Sequence, residues 1–208
     1  RDDIPETYCI FPYRVENGKA YEIPFTEFCD QYPLAGEYLK RNQERIKQNV
    51  ETFPEERWHV YTRANNIARN FPKVYIPMTA LDTFAAVTFS DRHYCDNANV
   101  NYVELPEINV VNLYALASII NSTVYSVLAR SIANPQSNGY FKFNKQFLEP
   151  VPFPGENFAE SEDLKTQLFE ISRRIEGLQV RYKSSSPNQK RGINALLQIQ
   201  WNLLNDIC

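Results

Sequence analysis

The sequence predicts an α+β protein, with a β-rich domain carrying a packed central helix and a helical hairpin at its C-terminal end. Three observations carry that reading. Short runs rich in Tyr, Phe and Val, bounded by Gly, Pro and Asn, recur through the first 150 residues. One long apolar segment, Val110 to Ala133, interrupts them with helical periodicity. After Pro150-Val-Pro-Phe-Pro154 the pattern changes to apolar residues spaced alternately four and three apart.

In chain order, Tyr8-Cys-Ile-Phe-Pro-Tyr-Arg14 and Ala20-Tyr-Glu-Ile23 are strand candidates. Asn17-Gly18 between them is a hairpin signal, because both residue types accept the positive φ that a tight primed turn needs. Pro33 opens a helix expected to run to about Val50, with Leu34, Tyr38, Leu39, Ile46 and Val50 on its apolar side. After a charged loop comes Trp58–Arg63, and then Lys73–Ile76, Phe84–Phe89, His93–Cys95 and Val100–Val103 are further strand candidates, with Asp96-Asn97-Ala98-Asn99 as a polar turn. The Val110–Ala133 helix ends at Asn134-Pro135, and Tyr140-Phe-Lys-Phe143 begins a last strand. Leu164, Leu168, Ile171, Ile175, Leu178 and Tyr182 then form a coiled-coil seam, broken at Ser184-Ser-Ser-Pro187. A second helix follows with Ile193, Leu197, Leu204 and Ile207 on one face. The expected organisation is a domain over residues 1–155 and a helical hairpin over 156–208, docked on its own domain or on a neighbouring one.

Composition narrows the function classes. The 208 residues begin at Arg1 and include one methionine, Met78, so the chain is expected to be a piece of a longer protein. Cys9, Cys29, Cys95 and Cys208 are widely separated and form no C-x-x-C pair, which fits reduced thiols and a cytoplasmic setting. No apolar run approaches the ~18 residues of a membrane span, and no signal peptide opens the chain. The net charge of −3 hides segregation. Arg57 to Tyr75 contains Arg57, Arg63, Arg69 and Lys73 without a carboxylate, and Ile108 to Phe147 contains Arg130, Lys142 and Lys145 without one.

Catalytic patterns are missing. The six glycines are too scattered for a phosphate or cofactor loop, and there is no G-x-S-x-G elbow. The two histidines, His59 and His93, offer few metal ligands; His93-Tyr-Cys95 has no matching second pair. Asp163-Leu-Lys165 is similar to a nuclease D/E-x-K, but its place at a helix start makes Asp163 a partner for the helix dipole. What remains is a binding surface. Arg63, Asn65, Asn66, Arg69 and Lys73 form one cluster, Arg92, His93 and Asn97 a second, and Asn138, Tyr140, Lys142 and Lys145 a third. Guanidinium and amide groups make bidentate contacts to guanine and adenine edges, while Lys and Arg neutralise phosphates.

The order of features resembles the TaqI-type specificity domain over about residues 8 to 157. The carrying segments are Trp58-x-x-Tyr61-x-Arg63, Pro72-Lys73-Val74, the strand and polar turn through Tyr102, and Ile119-Ile120-Asn121-Ser122. They are followed by Gly139-Tyr-Phe-Lys-Phe-Asn-Lys-Gln-Phe147-Leu148 and then Pro150-Val-Pro-Phe-Pro154. The resemblance implies a reader of double-stranded DNA acting in cis with an upstream N6-adenine methyltransferase domain, with or without a fused endonuclease. It implies S-adenosylmethionine, and magnesium where the parent also cleaves, for those upstream domains, and no cofactor, metal or catalytic residue in this chain. Trailing coiled-coil-like helices and a late P-x-P also resemble type I restriction specificity subunits. A protein-interaction module that does not touch DNA is the third reading, and a free-standing hydrolase would need an acid–base or metal cluster that these residues do not supply.

Overall fold

The computed structural model describes residues 9–48, 55–61, 67–68, 71–89, 99–105, 108–153 and 155–208. The chain divides into two compact units, Arg1–Asn70 and Phe71–Cys208. The helical hairpin lies within the second unit, where Leu168 joins the core formed with Leu113, Leu116 and Ile120.

In the first unit, β1 (Tyr13–Glu16) pairs antiparallel with β2 (Lys19–Glu22). Asn17 and Gly18 turn the chain at φ 50° and 71°, as the Asn-Gly signal requires. Three short helices follow, α1 (Phe25–Gln31), α2 (Pro33–Arg41) and α3 (Gln43–Gln48). The single helix expected from Pro33 is thus broken at Asn42. The Asn42 amide donates to the Tyr38 carbonyl at 2.8 Å, a local bond that competes with helix propagation. Helix α1 lacks a legible period and was not expected. It lies so close to α2 that a Cβ on Gly36 would sit 2.7 Å from Cys29 Sγ. Ile23, Phe28, Leu39 and Trp58 close this small core.

A 3-10 turn (Glu55–Arg57) delivers the Trp58 indole edge-on to Phe25, with ring centroids 4.7 Å apart. His59 is buried, and its Nε2 lies 2.9 Å from the Ile23 carbonyl, which makes that nitrogen the donor. Tyr61 N–H donates to the Tyr13 hydroxyl at 2.6 Å, and the Tyr61 hydroxyl donates to the Ile10 carbonyl. Side-chain and backbone bonds across the sequence thus hold 58–61 in place.

The second unit has two small antiparallel sheets. In one, β3 (Lys73–Pro77) lies between β5 (Ala86–Thr88) and β6 (Val100–Val103). In the other, β8 (Phe141–Lys142) lies between β4 (Thr79–Ala80) and β7 (Asn134–Pro135). Met78 is the corner between them: its N–H donates to the Asn99 carbonyl at 2.8 Å, and its carbonyl accepts from Phe143 N–H at 2.7 Å. The α+β class holds, although the strands are short and helices carry much of the chain.

The expected central helix is two helices, α4 (Val110–Asn121) and α5 (Thr123–Ile132), bent by 64°. Ser122 makes the bend: extended at φ −70°, ψ 151°, its hydroxyl caps α5 by accepting from Tyr125 N–H. Every residue from Leu113 to Ile120 is buried, as expected of a helix apolar all round. The four-residue α6 (Lys145–Leu148) and α7 (Gly155–Glu160) lead to the hairpin α8 (Glu162–Lys183) and α9 (Pro187–Ile207). As the seam predicts, Leu168, Ile171, Ile175, Ile193 and Leu204 are buried. The hairpin docks in cis: the Ser118 hydroxyl of α4 donates to the Leu168 carbonyl at 3.2 Å and pairs with the Ser172 hydroxyl. No single helix among the described residues is long and apolar enough to cross a membrane.

Candidate nucleic-acid interface

The three polar clusters fare differently. Arg63, Asn65, Asn66 and Arg69 of the first, and Arg92, His93 and Asn97 of the second, lie outside the described residues. Lys73 of the first is described, and it is no surface cation. It is fully buried. Its ammonium lies 4.7 Å from the Phe71 ring centroid, 5.6 Å from Tyr102 and 5.7 Å from Tyr75. A lysine inside an aromatic enclosure is a structural cation and cannot neutralise a phosphate. Lys73, read from the sequence as a DNA contact, is thus not presented to solvent: Phe71 and Tyr75 flank it two residues away and Tyr102 of β6 closes the enclosure.

Three members of the third cluster, Asn138, Tyr140 and Lys142, lie on one object, the β7–β8 hairpin. Its ladder runs Asn134↔Lys142 and Pro135↔Phe141, and Gln136 N–H donates to the Tyr140 carbonyl at 2.7 Å. The tip is the 3-10 turn Ser137–Gly139, with Asn138 at φ 65° and Gly139 at φ 78°. Asparagine is tolerated in the left-handed region because its short polar side chain bonds locally, and glycine because it has no Cβ. Asn138 is exposed, and Tyr140 keeps 41% of its surface.

The base of the hairpin is tied to the core. Phe143 is fully buried, the Phe141 ring lies tilted against it with centroids 6.3 Å apart, and Asn101 Nδ2 donates to the Phe143 carbonyl at 2.7 Å. Strand alternation puts Phe141 and Phe143 on the core side and Tyr140 with Lys142 on the other. Register adds two residues that the sequence did not offer: Thr79 and Asn134 both pair with Lys142, which makes a polar row Thr79–Lys142–Asn134 across the sheet. No local pattern marks Thr79, since its strand is two residues long. Lys145 stands at the start of α6, exposed and paired with Glu149 at 3.3 Å. Arg130 is tied to Asp82 at 2.9 Å. Lys142 has no carboxylate within ion-pair reach among the described residues.

Two motifs singled out in the sequence have structural work. Asn121 clamps the segment before β5: its Nδ2 donates to the Ala85 carbonyl at 2.9 Å and its Oδ1 accepts from Ala85 N–H at 2.8 Å. With Ser122 as the cap of α5, the Ile-Ile-Asn-Ser segment fixes a sheet edge and a helix bend together. At the head of α8, Ser161 caps the helix and Glu162 and Asp163 occupy its first turn. Lys165 is buried and bonded to Glu162 at 2.6 Å, while Asp163 is exposed. Among the described residues no three His, Cys, Asp or Glu side chains converge.

No family model matches the chain, and no curated protein matches it.

Proposed function

We propose that this chain reads double-stranded DNA sequence as the target-recognition domain of an N6-adenine restriction–modification enzyme. The observation that carries the reading is the β7–β8 hairpin, a projecting tip of amide, hydroxyl and phenol groups on a base tied to the core by Phe141 and Phe143. A narrow two-stranded ribbon fits the major groove of B-DNA. Asn138 supplies the donor–acceptor pair that suits an adenine edge, and Lys142 supplies charge for a phosphate. The ordered resemblance from Trp58 to Pro154 supports the same reading. S-adenosylmethionine and the flipped adenine would belong to the upstream catalytic domain in cis.

The test uses the parent enzyme. Asn138→Ala and Tyr140→Ala are expected to relax or shift the methylated sequence by about 1–3 kcal/mol of base discrimination, with S-adenosylmethionine binding intact. Genome-wide mapping of methyladenine reads this directly. An unchanged methylated sequence in both variants removes the hairpin from the interface.

A further inference from the structure

The hairpin arm α8–α9 carries a second apolar face that stays exposed among the described residues. Ile193, Leu197, Trp201 and Leu204 of α9 face the seam with α8. Beside them, Leu196, Ile199 and Leu203, spaced three and four apart, stay 47%, 52% and 42% exposed. From Gly192 to Asn205 the helix has no charged residue at all. A solvated helix face is normally charged, so an uncharged helix with two adjacent apolar stripes is one that expects cover on both. Gly177, Leu178, Leu196 and Gln200 line an open groove between the two helices, with Arg174 and Arg181 on its α8 side. The Gln200 side-chain oxygen is buried there without a donor.

Charge indicates what covers this face. The closed end of the hairpin gathers Arg181, Lys183, Lys190 and Arg191. The open end gathers Glu162, Asp163 and Asp206, with Lys165 already bound to Glu162. The arm is therefore a charge dipole with an apolar middle, and such an object is complementary to a second copy of itself turned end to end. We infer that the Leu196–Ile199–Leu203 face of α9 pairs with the same face of a second chain about a twofold axis, in an antiparallel four-helix arrangement. Each basic closed end then lies against the partner's acidic open end. The contact is isologous, so one patch serves both sides and the assembly closes at two. Like-signed ends disfavour the parallel alternative. This inference stands independently of DNA reading.

The experiment is sedimentation equilibrium of the full 208-residue chain over micromolar concentrations, with circular dichroism to confirm folding of each variant. The wild type is expected to be a dimer that weakens as salt rises. Leu196→Glu with Leu203→Glu is expected to weaken it by more than about tenfold. The charge sets supply a test that misfolding cannot imitate. Chains with Arg181→Glu and Arg191→Glu, and chains with Asp163→Lys and Asp206→Lys, should each fail to self-associate but form a mixed dimer when combined. A monomeric wild type, a dimer indifferent to the leucine pair, or charge variants that do not associate on mixing each overturn the inference.

Discussion

The two Asn-Gly hairpins share the left-handed conformation of that dipeptide and differ in loop length and in the side chains around it. Asn17-Gly18 and Asn138-Gly139 take positive φ values within 15° of each other, 50° and 71° against 65° and 78°. Neither glycine has a neighbour within 4 Å of where a Cβ would be, so both are required by conformation and not by crowding. The β1–β2 tip is flanked by Glu16 and Lys19, paired opposite each other in a four-rung ladder. The β7–β8 tip is flanked by Ser137 and Tyr140, on a two-rung ladder tied to the core beneath it. The same dipeptide thus makes a self-sufficient turn in one unit and a presented surface in the other. Turn chemistry fixes the path of the chain, and the flanking side chains and their support decide its use.

The largest expected effect tests that support. Phe143→Ala should destabilise the second unit by about 3–5 kcal/mol, the range for truncating a buried ring, read as a lower denaturation midpoint. A cost below about 1 kcal/mol would mean that the β7–β8 base is not the anchor described. A smaller effect compares the tips themselves. Gly18→Ala and Gly139→Ala should each cost about 1–2 kcal/mol through left-handed strain, and the two costs should be similar. Only Gly139→Ala should also alter the methylated sequence of the parent enzyme, so an equal functional effect at Gly18 breaks the distinction.

Alkaline solution should weaken the first unit through Tyr61, and burial raises Tyr114, Tyr125 and Cys208 of the second in the same direction. Burial and the neighbouring Cys9 and Tyr13 push the Tyr61 phenol up to about 12 from an ordinary 10.0. The folded chain holds that proton more tightly than the unfolded chain. Its contribution is therefore complete below pH ~10 and is lost as pH rises towards 12. Tyr61→Phe should flatten that portion of the pH profile in a melting series followed through the first unit. The smallest stability effect concerns Lys145, whose pair with Glu149 is exposed on both sides. Lys145→Gln should change stability by less than about 0.5 kcal/mol, yet lower the salt slope of DNA binding by about one if the side chain meets a phosphate. An unchanged salt slope places Lys145 off the DNA.

Legibility followed the range of the forces involved. Both ends of the hairpin seam, the Asn17-Gly18 turn and the Val100–Val103 strand are set by neighbours within a few residues, and all three lie where the pattern put them. The break at Asn42 and the bend at Ser122 were missed because a polar side chain capturing a nearby backbone group leaves the apolar period almost intact. The partner of Trp58 is Phe25, and a contact across that separation has no signature in either segment. In the candidate site, Asn138 and Tyr140 were legible as polar residues at a turn, whereas Thr79 and Asn134 enter only through sheet register.

Sequence alone determined the α+β class, the coiled-coil seam, the turn positions and the chemistry on offer, because periodicity and positive-φ residues act locally. Tertiary structure alone decided which of that chemistry reaches solvent. Lys73 and Lys142 look alike in the sequence, each a lysine in an aromatic-rich strand. The rings of Phe71, Tyr75 and Tyr102 enclose the first, while strand alternation over a buried Phe143 turns the second outward. Burial is set by what folds against a residue: Phe71 and Tyr75 are near Lys73 in the chain, but Tyr102 reaches it only because β6 pairs with β3.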